Sequence, residues 1–96
     1  MPITEDSVRE YARTLPEHMQ EGAINYILHG YQPGSFLNAV LRNDLIDAAG
    51  RADGQNMYAL YEWAVFVYNA VPMPARGSQE AIQAWVEQGG LNGQRT

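Results

Sequence analysis

The stretch from Pro33 to Asn56 constrains this chain more than any other. Pro33-Gly34 makes a rigid approach and Ser35 follows as a helix cap, after which Phe36, Leu37, Val40, Leu41, Leu45, Ala48, Ala49 and Ala52 recur at helical spacing. The spacing predicts one helix from Ser35 to Ala52, with an apolar face that tapers from large to small residues so that another backbone can approach closely. Asp53-Gly54 marks the turn that ends it. The same stretch carries a dense polar set, Asn43, Asp44, Asp47, Arg51, Asp53 and Asn56, which a helix serving only the core does not require.

The flanking segments read as packing partners. Thr4, followed by Glu5, Asp6 and Ser7, starts a first helix with Val8, Tyr11, Ala12 and Leu15 at helical spacing. Pro16 and Glu17 open a second, whose stripe Met19, Ala23, Ile24, Ile27 and Leu28 runs to a left-handed stop at Gly30, while Gly22 offers a place for a close helix crossing. A fourth helix, Gln55 to Ala70, is apolar over much of its circumference, which suits a central helix or one with a side in an oligomer interface. Pro72-Met73-Pro74 ends it. A fifth is capped by Ser78, turns Ala81, Ile82, Trp85 and Val86 inward, and stops at Gly89-Gly90, with Leu91 docking after it. No stretch alternates with period two for long. The expected fold is therefore all-α, a compact bundle of four to five short helices forming a single domain over residues 1–91, with 92–96 as a disordered tail.

Composition narrows the function classes. A chain of 96 residues with 46 % hydrophobic content supports one modest core, which a second copy can complete, so a homo-oligomer is expected. The formal charge of −5 repels phosphate backbones and argues against duplex nucleic acid as a partner. All six basic residues are arginine, the side chain that forks onto carboxylates and phosphates and stacks on flat rings. Without cysteine there is no disulfide, thiolate nucleophile or zinc knuckle. The first residues, Met-Pro-Ile-Thr-Glu-Asp-Ser, do not resemble a signal peptide, and the longest apolar run, Trp63 to Tyr68, is far short of the ~20 residues that span a bilayer. A cytoplasmic location with no membrane association follows as an expectation.

Candidate site residues come from charge and capping. In a continuous helix Asp44 lies at the edge of the apolar stripe, where a carboxylate is costly unless paired. It has two readings: a structural partner of Arg51 or of another helix start, or a ligand-facing acid. Gly34-Ser35 and Gly77-Ser78 are helix starts of the kind that can receive anions, and Arg76 stands beside the second. The favoured reading of Ser35 and Ser78, however, is as ordinary caps with turn glycines before them. Among the aromatics, one or two of Tyr58, Tyr61, Trp63 and Phe66 are expected to face a subunit or ligand, because so small a chain cannot bury them all. His18 and His29 show no metal-ligand spacing, and no nucleophile elbow, Walker loop or carboxylate–histidine set is present, so neither catalysis, a cofactor nor a metal is expected.

The succession Tyr31-Gln32-Pro33-Gly34-Ser35-Phe36-Leu37, Asn43-Asp44-Leu45, Gly50-Arg51-Ala52-Asp53 and Asn56, followed by Tyr68-Asn69, Gly77-Ser78 and Trp85, resembles a family of small helical proteins of tailed bacteriophages and prophages. The likeness covers Pro16 to Leu91. It implies a phage setting rather than a mechanism, and in that setting a small acidic chain without catalytic groups is expected to act by binding. One expectation is a counter-defence or host-takeover protein that binds and inhibits a host protein. The other is a sponge that sequesters a small anionic nucleotide signal at the Gly-Ser starts, with Arg51 and Arg76 supplying charge.

Overall fold

A computed structural model describes residues 3–93. It is all-α: 75 % helical, with no strand among the described residues. The helices are α1 (Glu5–Ala12), α2 (Glu17–His29), α3 (Ser35–Leu41), α4 (Leu45–Arg51), α5 (Gly54–Tyr58), α6 (Leu60–Ala70), α7 (Gln79–Gln88) and α8 (Gly90–Gly93), with a 3₁₀ turn at Met73–Ala75 before α7. Among the described residues no helix is long and apolar enough to cross a membrane. Asn92 and Gly93, expected to begin the disordered tail, complete α8, whereas 94–96 lie outside the described residues.

The expected helix from Ser35 to Ala52 is broken, and the cause is local side-chain chemistry. Asn43 adopts the left-handed conformation, φ 67°, which asparagine tolerates better than most residues. The turn around it closes as a Schellman motif, with Asp44 N–H donating to the Ala39 carbonyl at 3.0 Å and Asn43 N–H to that of Val40 at 3.1 Å. Asp44 then caps α4, accepting from Asp47 N–H at 2.9 Å, so it does not lie on an apolar helix stripe. Asp53 repeats the device, accepting from Asn56 N–H at 2.8 Å to start α5. The expected helix from Gln55 to Ala70 is likewise two, divided at Ala59. Asp side chains that can take an N–H three residues on compete with helix continuation, and here they win twice. Ser35 is not a cap: Gly34 occupies that position without a side-chain bond, and Ser35 is the first helical residue.

Trp63 anchors the core beneath α6, packed edge-on against Phe36 (centroids 5.5 Å apart) and Phe66 (6.0 Å). Its indole N–H donates to the side-chain carbonyl of Asn56, a polar residue buried in the core, at 3.0 Å. Tyr26 and Trp85 are buried too, with their polar atoms satisfied by backbone: the Tyr26 hydroxyl donates to Ala75 at 2.8 Å, and Trp85 N–H to Tyr26 at 3.0 Å. Burial raises the Tyr26 pKa well above its ordinary value. The close backbone crossing expected at Gly22 occurs instead between Gly30 and Gly90; a Cβ on Gly90 would stand 2.5 Å from the Gly30 nitrogen, while one on Gly22 would meet nothing within 4 Å. Leu91 docks on the core as expected.

Candidate functional site

The break at Asn43 shapes an apolar cleft between α4 and α6. With Asp44 capping α4, Leu45 and Ala48 border the same cleft as Leu60, Ala64 and Val67 of α6, over a floor that includes Trp63. The cleft encloses about 340 Å³, at the small end of ligand-sized pockets. Apolar side chains make most of its wall, and Asn43, Asp44, Tyr68 and Arg76 supply the polar groups.

Charge around this cleft is unevenly paired. The Arg42 guanidinium donates to both Asp44, at 3.4 Å, and Asp47, while Arg51 donates from Nε to both Asp47 oxygens at 3.0 Å. Hydrogen bonds from Arg51 and then Arg42 hold the Asp47 carboxyl below its ordinary 3.8. Arg76 is arranged differently. Its Nε donates to the Val71 carbonyl at 3.3 Å, and among the described residues it is the one arginine with no carboxylate at ion-pairing distance.

No family model, curated protein or solved structure matches this chain.

Of Gly34, Ser35, Asp44, Arg51, Tyr61, Arg76 and Ser78, the fold brings Asp44 and Arg76 together on the cleft, beside Asn43 and Trp63, and leaves the other five off its lining. Arg51 is exposed and engaged by Asp47, not by Asp44, whose ion-pair partner is Arg42. Gly34 and Ser35 begin a helix of only seven residues. Ser78 spends its hydroxyl on Ala81 N–H at 3.1 Å as the cap of α7. Tyr61 is exposed on α6. The four aromatics expected to compete for burial divide evenly: Trp63 and Phe66 are core, whereas Tyr58 (91 % exposed) and Tyr61 (75 %) stand in solvent. Tyr68 (79 %) and Ile46 (82 %) join them, along with Leu45 and Met73.

Sequence reasoning missed three features. Arg42 had no assigned role, yet it ties Asp44 to Asp47. His18 pairs with Asp53 at 2.8 Å in a shallow groove bordered by Glu17, Gln55 and Tyr58; the Asn56 backbone N–H, and then His18, hold the Asp53 carboxyl below its ordinary value. The cleft itself went unseen because it depends on the helix break. The legible signal was Asn43-Asp44, a left-handed residue followed directly by a cap. Among the described residues no three His, Cys, Asp or Glu side chains gather so as to hold a metal ion.

Proposed function

We propose that this protein works by binding rather than by chemistry, holding a protein partner on the face built by α4 and α6. One observation carries the reading: Leu45, Ile46, Tyr61 and Tyr68, large and apolar or aromatic, stand exposed on the two helices that border the molecule's apolar cleft. Tyrosine and an arginine beside a small apolar pocket are the groups that dominate the energy of protein interfaces. The resemblance to phage-encoded helical proteins supports the cytoplasm of an infected bacterium as the setting and a host protein, bound and inhibited, as the partner. Sequestration of a nucleotide signal draws less support, since Arg51 is closed on Asp47 away from the cleft and Ser78 is committed to its cap.

A photoreactive amino acid placed at Tyr61, and in a control at Glu80 on α7, tests this in host cells. The expected result is one host-protein adduct from position 61, none from position 80, and loss of that adduct when Tyr68→Asp is added. An adduct to a second copy of this chain would show that the face serves self-association, the oligomer anticipated from its size, and would overturn the host-protein reading. Equal labelling from both positions would do the same.

A further inference from the structure

The α4–α6 cleft combines an apolar interior with a cation that the described chain leaves without a counter-charge. Four arginines are described besides Arg76: Arg9 and Arg13 pair with glutamates on and beside α1, and Arg42 and Arg51 with Asp44 and Asp47. In a chain of net charge −5, a guanidinium free of carboxylates is therefore local to this cleft. It is also held in place. The bond from Arg76 Nε to the Val71 carbonyl fixes the base of the planar fork, so its outer nitrogens need little further ordering to receive an anion. Asp44, the acid on the same cleft, already has the Arg42 guanidinium at 3.4 Å and its own bond from Asp47 N–H.

Two simpler occupants each waste half of this arrangement. A purely apolar group fills the space between Leu45, Ala48 and Ala64 but leaves Arg76 to water. A purely acidic segment meets Arg76 and leaves the apolar interior wet. We infer that the cleft accepts a partner segment in which a large apolar side chain stands next to an acidic one, the first seated between α4 and α6 and the second on Arg76. The cleft's size suits one such side chain with the backbone that carries it. The proposal names the chemistry of the protein partner proposed above, and so rests on that reading.

Titration of the isotope-labelled protein with two capped dipeptides, acetyl-Phe-Glu-amide and acetyl-Phe-Gln-amide, followed by amide chemical shifts, tests it. Both are expected to shift Leu45, Ala48, Ala64 and Arg76, with the acidic peptide binding about five- to tenfold more tightly because its contact to arginine is charge-assisted. Arg76→Gln should bring that ratio to about one, and Arg76→Lys should leave an intermediate preference, because lysine keeps the charge without the fork. In the unmodified protein, raising salt to about 0.5 M should shrink the advantage of the acidic peptide and spare the neutral one. Equal binding of the two peptides, a preference that survives Arg76→Gln, or shifts centred elsewhere would overturn the proposal. So would 3-phenylpropionate binding more tightly than the acidic dipeptide, which would make this a site for small apolar carboxylates. A host protein crosslinked at position 61 with no carboxylate preference would sink this inference alone; the preference without any crosslinked partner would sink the protein-binding reading alone.

Discussion

Two regions of this protein treat the same kind of residue in opposite ways. Where α2 meets α7 and α8, Tyr26 and Trp85 are sealed in the core and each polar atom finds a backbone carbonyl. Along α5 and α6, Tyr58, Tyr61 and Tyr68 stand in solvent, although Trp63 and Phe66 of the same α6 are fully enclosed. A chain that buries its tryptophans so completely is not short of packing capacity. Tyr61 and Tyr68 of α6, like Leu45 and Ile46 of α4, are large side chains that folding leaves in solvent. The sealed region should therefore respond to substitution with large losses of stability, and the open one with small losses.

The largest effect is expected at the Gly30–Gly90 crossing. Gly90 has φ 73°, and an added Cβ would lie 2.5 Å from one backbone nitrogen and 2.6 Å from another. Backbone on the far side cannot swing away as a side chain would. Gly90→Ala should cost at least about 3 kcal/mol, from overpacking together with a left-handed conformation that alanine resists. Its counterpart, Gly22→Ala, meets open space on an exposed helix position and should gain about 0.5–1 kcal/mol. Urea midpoints of both variants check this, and a tolerated Gly90→Ala would mean that the two corners are not in contact.

Next in size is Asn56→Ala. Removing the side-chain carbonyl leaves the buried Trp63 N–H without its acceptor, at a cost of about 2 kcal/mol. That bond links the core to the helices bearing the exposed tyrosines, so thermal unfolding of Asn56→Ala measures how far the open face depends on the sealed core. A loss under about 0.5 kcal/mol would indicate that water reaches Trp63.

The all-α class, α2 and α7, and the glycine stops of those two helices were legible from sequence because each rests on a strong local signal: apolar spacing of 3.6 ended by a residue with positive φ. The cleft was not, because it follows from a break inside an apolar pattern that by itself reads as continuous. Leu41, Leu45 and Ala48 keep helical spacing straight across Asn43, so periodicity favours one helix while Asn43 and Asp44 favour two. Asn43→Ala distinguishes them. If the chain turns at Asn43, alanine is forced into the left-handed region and stability falls by about 1 kcal/mol; were the helix continuous, alanine would raise it.

The smallest effect concerns the charges behind the cleft. Asp47 receives hydrogen bonds from Arg51 and Arg42, so its folded pKa lies below its ordinary 3.8. Between those two values the unfolded chain binds more protons than the folded one, so stability rises with pH across the window. The contribution is complete above the unfolded value and is lost as pH falls through the folded one. Asp53, held low by the Asn56 N–H and then by His18, acts in the same direction. Asp47→Asn should therefore lower the urea midpoint slightly near neutral pH, because these pairs are only partly shielded from water. Below about pH 4 its midpoint should fall less steeply than that of the unmodified chain. The two curves should converge on acidification. Parallel curves would mean that the arginines do not hold Asp47 in solution.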